Sequence, residues 1–120
     1  MKRARHVVTE NQRVLDTVAV LAGQGLHAIG DLLSESHRSL AADYEVSVAA
    51  LDMVVTAAER AGALGARMTG AGFGGCVIAL VTEDSIGRVT ESIEVAFAEE
   101  NLDRPTYFEA WPGPGAHRVA

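Results

Sequence analysis

Gly65, Gly70, Gly72, Gly74 and Gly75 fall within eleven residues, in the string Gly65-Ala66-Arg67-Met68-Thr69-Gly70-Ala71-Gly72-Phe73-Gly74-Gly75-Cys76. Glycine has no Cβ, adopts positive φ without strain and leaves its backbone N–H uncovered. Several such N–H groups in succession form a concavity that can receive an anion such as a phosphate. Gly70-x-Gly72-x-x-Gly75 also matches the spacing of the dinucleotide fingerprint. That fingerprint follows a strand and opens a helix, whereas Cys76-Val77-Ile78-Ala79-Leu80-Val81 reads as a buried strand. No lysine follows as in a phosphate loop, and the other protein-kinase signatures are missing. On glycine content alone, a ligand-free tight turn between two strands is the plain alternative.

The neighbours of the glycines carry chemistry of their own. Thr69 can donate to a phosphate, but a threonine at a strand end more often bonds local backbone. Arg67 can stabilise charge in a cleft or lie solvated on a strand edge. Phe73 can cover part of a cleft, and anchoring the loop by packing is the expected role. Cys76 opens an apolar strand and is expected to be buried and inert. Upstream, His37 lies on a helix with Ser36 beside it and Asp43 and Tyr44 beyond. No second histidine stands at a metal-binding helical spacing, so His37 is expected to be a hydrogen-bonded structural residue. Asp43 and Tyr44 are expected to order a turn.

The elements that must position these groups follow from periodicity. Val7, Val8, Val14, Leu15, Val18 and Leu21 recur at helical steps and predict a first helix over 3–22 with a buried stripe. Gly23-Gln24-Gly25 ends it. Leu26, Ile29, Leu32, Leu33 and Leu40 mark a second helix ending near Asp43-Tyr44. Ser47 is a candidate N-cap for a third helix carrying Leu51, Val54, Val55 and Ala58. The period then shortens to two, with strands over 66–69 and 76–81. Asp84-Ser85 caps a fourth helix bearing Ile86, Val89, Ile93 and Phe97. Alternation predicts strands over 106–111 and 116–119, around the Pro112-Gly113-Pro114-Gly115 turn. The order predicts an α+β domain over 1–120, with helices on one face of a mainly antiparallel four-stranded sheet.

Composition narrows the classes of function. The chain has 120 residues, 48% of them hydrophobic, enough for one packed core. Its net charge of −6 lacks the basic face that a nucleic-acid surface needs. No apolar run is long enough to span a bilayer, and no signal segment is visible. The single cysteine permits no internal disulfide. A cytoplasmic protein with neither a nucleic-acid nor a membrane partner is the expectation.

Three segments together are more specific than any one. Residues 67–76 resemble the third motif of the GHMP kinases in its galactokinase form. Ala4-Arg5-His6-Val7-Val8-Thr9-Glu10 is similar to the galactokinase segment that opens this region. Glu35-Ser36-His37-Arg38-Ser39-Leu40 with Asp43-Tyr44-Glu45-Val46-Ser47 is similar to that family's middle signature. The one departure is Val48-Ala49-Ala50, where the family usually has Cys-Pro-Glu; the capping-box glutamate after Ser47 is thereby lost.

The resemblance implies the ferredoxin-like C-terminal domain of a kinase that uses ATP and Mg²⁺ to phosphorylate galactose at its anomeric hydroxyl. In that family the upstream part carries the catalytic Asp, its Arg partner, the phosphate-binding second motif and the sugar-binding acidic residues. The expectation is therefore a chain without its N-terminal catalytic domain, with no catalytic residue or metal ligand of its own, and inactive alone. The resemblance places Gly70, Ala71, Gly72, Phe73, Gly74 and Gly75 at the ATP cleft. Arg67, Met68 and Thr69 support them, with Ser36, His37, Asp43 and Tyr44 as neighbours. A sugar-sensing or metabolite-binding module, or a sibling GHMP sugar kinase, are the alternatives.

Overall fold

Two glycines set how closely the middle of the chain can pack. In the computed structural model, which describes residues 1–119, Gly30 opens one helix and Gly65 opens the first strand, and their backbones touch. A Cβ on Gly65 would sit 1.9 Å from the Gly30 carbonyl oxygen, and one on Gly30 would sit 2.2 Å from that of Leu64. Around this contact the order is α1 (Lys2–Gly23), a 3₁₀ turn (Leu26–Ile29), α2 (Gly30–Ser39) and a π-helical turn (Leu40–Tyr44). Then come α3 (Ala49–Arg60), β1 (Gly65–Thr69), β2 (Cys76–Leu80), a 3₁₀ turn (Glu83–Ser85) and α4 (Ile86–Glu99).

β1 and β2 form an antiparallel pair in the register Ala66↔Ala79, Met68↔Val77 and Thr69↔Cys76. Alternation along β1 sends Ala66 and Met68 to the same face, where both are fully buried. One core joins Val55 and Ala58 of α3 to Ala66 of β1 and to Val89 and Ile93 of α4. A second joins Met68 to Leu40 and Leu51. Burying a side chain of methionine size contributes about 1.5–3 kcal/mol. Small residues at Ala57, Ala58 and Ala66 let α3 approach β1 and α4 closely. Thr82 and Ser85 cap the turn that starts α4 by reciprocal side-chain bonds. No helix among the described residues is long and apolar enough to cross a membrane.

Three expectations are corrected. Among the described residues the sheet has two strands, not four, because 106–111 and 116–119 run without a strand partner. An alternating pattern supplies a sheet face but not the neighbouring edge on which a strand depends, and Tyr107, Phe108 and Trp111 stay exposed. The valine and leucine stripe of α1 is not core: Val14 is 56% and Val18 64% exposed, and the buried residue of α1 is His6. The helix instead turns a polar stripe inward, as described below. Finally, the N-cap of α3 is Val48, and the Ser47 hydroxyl donates to the Asp52 carboxylate at 2.5 Å.

Gly65→Ala forces a methyl group into the Gly30 backbone, and overpacking of this kind costs about 1–3 kcal/mol or more. The urea midpoint is expected to fall clearly. Gly87→Ala is the control: nothing lies within 4 Å of its Cβ position and its φ is not positive. Its midpoint should hold or rise, since alanine favours a helix by about 1 kcal/mol over glycine.

Candidate functional site

The glycine string is the β1–β2 connection, as its composition predicts. Gly70, Gly72, Gly74 and Gly75 have φ of +85°, +90°, +129° and +100°, and Phe73 joins them at +60°. A run of left-handed residues curls the backbone tightly and turns amides outward in place of side chains. One bond ties the loop interior to the domain: the Phe73 N–H donates to the Val46 carbonyl oxygen at 2.7 Å. The other amides of 70–75 make no backbone bond among the described residues. Gly72 is required for this contact, because a Cβ there would lie 2.4 Å from the same Val46 oxygen.

The Phe73 side chain does not anchor the loop. It is 72% exposed, and its backbone amide does the anchoring. An L-residue in the left-handed region costs about 1–2 kcal/mol, which the Val46 bond helps offset. Cys76 is exposed rather than buried. It sits where β2 emerges from the loop, before the core-facing residues begin. Thr69, its cross-strand partner, is also exposed and its hydroxyl has no protein partner among the described residues.

Val46 reaches the loop through an unusual joint. The π-helical turn Leu40–Tyr44 is closed by the Val46 N–H on the Leu40 carbonyl, with Glu45 at φ +61°. Asp43 accepts an ion pair from Arg5 at 3.0 Å, and Glu45 receives Lys2 and Arg3. Tyr44 stacks on the buried His6 ring, 4.6 Å between centroids, and His6 Nδ1 meets Ser39 Oγ. The start of α1 thus clasps the joint from outside. Asp43 and Tyr44 order the turn, as expected.

His37 secures β1 on its free edge. Met68 N–H donates to His37 Nδ1 at 3.1 Å, so that nitrogen must be the acceptor. The ring proton is therefore on Nε2, which faces Asp52 Oδ1 at 3.0 Å. Asp52 also accepts from Ser47. A buried imidazole here takes the place of a third strand for one edge amide.

Arg67 is drawn inward. Its Nη1 donates to Glu10 Oε1 at 3.2 Å and to Ser36 Oγ at 2.9 Å, while its Nε donates to the Met68 carbonyl. Ser36 donates to the same Glu10 oxygen at 2.6 Å, and Arg13 holds the other at 2.9 Å. Partial burial alone pushes the Glu10 carboxyl up. The hydrogen bonds from Ser36 and Arg13 and the charges of Arg13 and Arg67 outweigh it, leaving the carboxyl below its ordinary 4.5. Arg67 is thus neither a cleft cation nor a solvated residue but a strut from β1 to α1 and α2.

Glu10, Val46 and Asp52 are the residues sequence reasoning missed. Glu10 belongs to one of the similar segments, and its spacing of three from Arg13 was its only local signal. Val46 acts through a carbonyl, which carries no residue signature. A groove of about 290 Å³ lies between α2 and α3, bordered by Ser34, His37, Arg38, Asp52 and Glu59, and the glycine loop does not line it. It is shallow and open, so the loop geometry defines the candidate site. Among the described residues no group of three or more His, Cys, Asp or Glu is placed to hold a metal ion.

Comparison with known proteins gives a consistent result. A family model described as GHMP kinases C terminal matches residues 17–99. The galactokinase of Mycobacterium tuberculosis is 47% identical over 115 residues, 96% of this chain and 32% of that protein. The galactokinase of Streptomyces coelicolor is 50% identical over 115 residues, 96% of this chain and 30% of that protein. A crystal structure of Lactococcus lactis galactokinase complexed with galactose superposes with a TM-score of 0.76 at 46% identity, over 83% of this chain and 26% of that one. The chain spans about a third of the length of these curated relatives.

The depressed Glu10 carboxyl makes stability depend on pH. Its contribution is fully present above the ordinary, unfolded-state value of 4.5 and is lost as pH falls through the lower folded value. Glu10→Gln is expected to be less stable at pH 7 and to show a flatter decline than the parent between about pH 5 and pH 3. Urea unfolding across that range checks it; parallel curves for the two proteins would contradict it.

Proposed function

The chain belongs to the GHMP kinase C-terminal family, and from that membership we propose that it is the C-terminal portion of a galactokinase. The complete enzyme transfers the γ-phosphate of ATP to the anomeric hydroxyl of galactose. The observation that carries this reading is the glycine loop: five of the six residues 70–75 at positive φ, seated on the Val46 carbonyl, with their remaining amides unpartnered. The names of the relatives supply the substrate, and the galactose complex of the Lactococcus lactis enzyme is consistent with it.

Phosphoryl transfer asks a protein for positioning and charge stabilisation more than for covalent chemistry. Backbone amides suit that task, since they point dipoles at phosphate oxygens without bulk and need no reorganisation during the reaction. The loop fits an ATP phosphate in this sense: its glycines leave room for close approach and its amides remain to donate. Residues 70–75 would border the nucleotide, with exposed Phe73 and Thr69 at the rim. Met68, His37 and Arg67 fix the strand that carries the loop. Among the described residues no group of three or more His, Cys, Asp or Glu gathers to hold a Mg²⁺ ion. The Mg²⁺ that accompanies ATP, the catalytic acid and the sugar contacts would come from the N-terminal part of the enzyme.

The reading is tested by supplying that part as a separate polypeptide and following galactose 1-phosphate formation. The isolated chain should show no turnover, and the reconstituted pair should be active. Gly72→Ala, which drives a methyl group into the Val46 carbonyl, should lower kcat/KM by about 100-fold, the effect of misplacing a catalytic element by about 1 Å. Full activity of the isolated chain, or of a folded Gly72→Ala pair, would overturn the assignment.

A further inference from the structure

We infer that His37 is a proton-operated latch on the glycine loop: its neutral ring ties β1 to α2, and uptake of a proton at Nδ1 releases the Met68 amide. The ring is buried and bonded at both nitrogens. Nδ1 accepts from the Met68 N–H at 3.1 Å, and the Nε2–H donates to Asp52 Oδ1 at 3.0 Å. An imidazolium carries a proton on each nitrogen and has no lone pair left to accept. With Nδ1 protonated, two N–H donors would face each other across that 3.1 Å. The Met68 bond therefore exists only with the neutral ring.

The two neighbours pull the ring in opposite directions. The Asp52 carboxylate favours the imidazolium, whereas the Met68 N–H favours the neutral form. Glu59 and Arg38 border the same groove as His37, the first favouring the charge and the second opposing it. Ser34, on the same helix, donates to Glu59, and Ser47 donates to Asp52. Glu10 of α1 and Arg67 of β1 engage the adjacent Ser36 and pair with each other. Asp52 keeps its bond to Nε2–H in either state and gains from the charge. The added proton is thus accommodated at the expense of Met68. The side chain of Asp52 is 49% exposed, so this side of the ring opens to solvent.

The other histidines carry no such conflict. His27 and His117 are exposed. His6 is buried, but its Nδ1 meets the Ser39 hydroxyl, which can rotate to donate or to accept. A backbone N–H cannot reverse its role. Met68 is fully buried and stands two residues before Gly70. A buried donor that loses its acceptor is unfavourable, so the end of β1 must shift or admit water. The bond from the Phe73 N–H to the Val46 carbonyl contains no titratable group and persists. Proton uptake by His37 therefore loosens the loop at its β1 end and leaves its middle seated.

The full chain, labelled with ¹⁵N, is titrated by NMR from about pH 8 to about pH 5, the range over which histidines change charge. This window lies above the range in which Glu10 loses its charge. The ring nitrogen shifts of His37 report its protonation. Amide exchange, corrected for the intrinsic effect of pH, reports Met68 and Phe73. As Nδ1 gains its proton, protection at Met68 is expected to fall about tenfold or more, the amide signals of Gly70 and Ala71 to shift with it, and protection at Phe73 to hold. His37→Gln retains a carbonyl acceptor, and its Met68 protection should not change with pH. Asp52→Asn removes the carboxylate that favours the imidazolium while keeping the acceptor oxygen, and should move the whole transition to lower pH. Protonation of His37 with Met68 still protected would overturn the inference. So would a ring that stays neutral down to pH 5, or protection lost at Met68 and Phe73 together. None of these readouts depends on the galactokinase reading, so each can fail without the other.

Discussion

The hydrogen bond from the Met68 N–H to His37 Nδ1 is the constraint around which the rest is arranged. β1 has a strand on one side only, and a buried edge amide left unpaired would cost about 1–3 kcal/mol. A histidine on α2 supplies the acceptor, and Asp52 on α3 holds its other nitrogen. One imidazole therefore fixes two helices and a strand at the point where that strand runs into the glycine loop. Two residues before the loop's end, the Val46 carbonyl takes the Phe73 amide and completes the seat. The loop is defined by contacts to backbone atoms at both ends, which leaves its outer surface free of obligations to the domain.

A second theme is the use of charge as internal scaffold. Glu10, Arg13, Arg67 and Ser36 form a cluster that links α1, α2 and β1 across 57 residues of sequence. Buried or half-buried ion pairs add little net stability over apolar packing, but removing one partner leaves an uncompensated charge and is destabilising. At the other end of the helix, Lys2, Arg3 and Arg5 close on the π-helical turn through exposed, solvent-screened pairs that add little stability. The three segments that resemble the galactokinase form of the family thus converge in space: the start of α1, the α2-to-α3 joint, and β1 with its loop. Their shared task is to position one side-chain-poor turn.

The helices α1, α3 and α4, both strands and the glycine connection were legible from periodicity and glycine content, because each follows from local backbone preference. The outward aim of the α1 stripe was not, since a hydrophobic period defines a face without saying what covers it. The π-helical turn at Leu40–Tyr44 was also hidden, because it depends on the His6–Tyr44 stack and on Val46 rather than on propensity. The alternation at 106–111 read as strand and is not one here, for want of a partner edge. Within the site, Gly70 to Gly75 and His37 were visible as residue types. Val46 was invisible because a carbonyl is common to every residue, and the Glu10–Arg67 pair because its members are so distant in sequence. Phe73 and Cys76 were misjudged alike: apolar character argued for burial, but the loop lifts both away from the core.

Backbone amide exchange resolved by residue tests the central claim most directly, that a seated loop presents free amides. The account predicts slow exchange at Met68 and Phe73, whose N–H groups are held by His37 and Val46. It predicts fast exchange at Gly70, Ala71, Gly74 and Gly75 under the same conditions. Protection spread evenly across 70–75, or rapid exchange at Phe73, would contradict it.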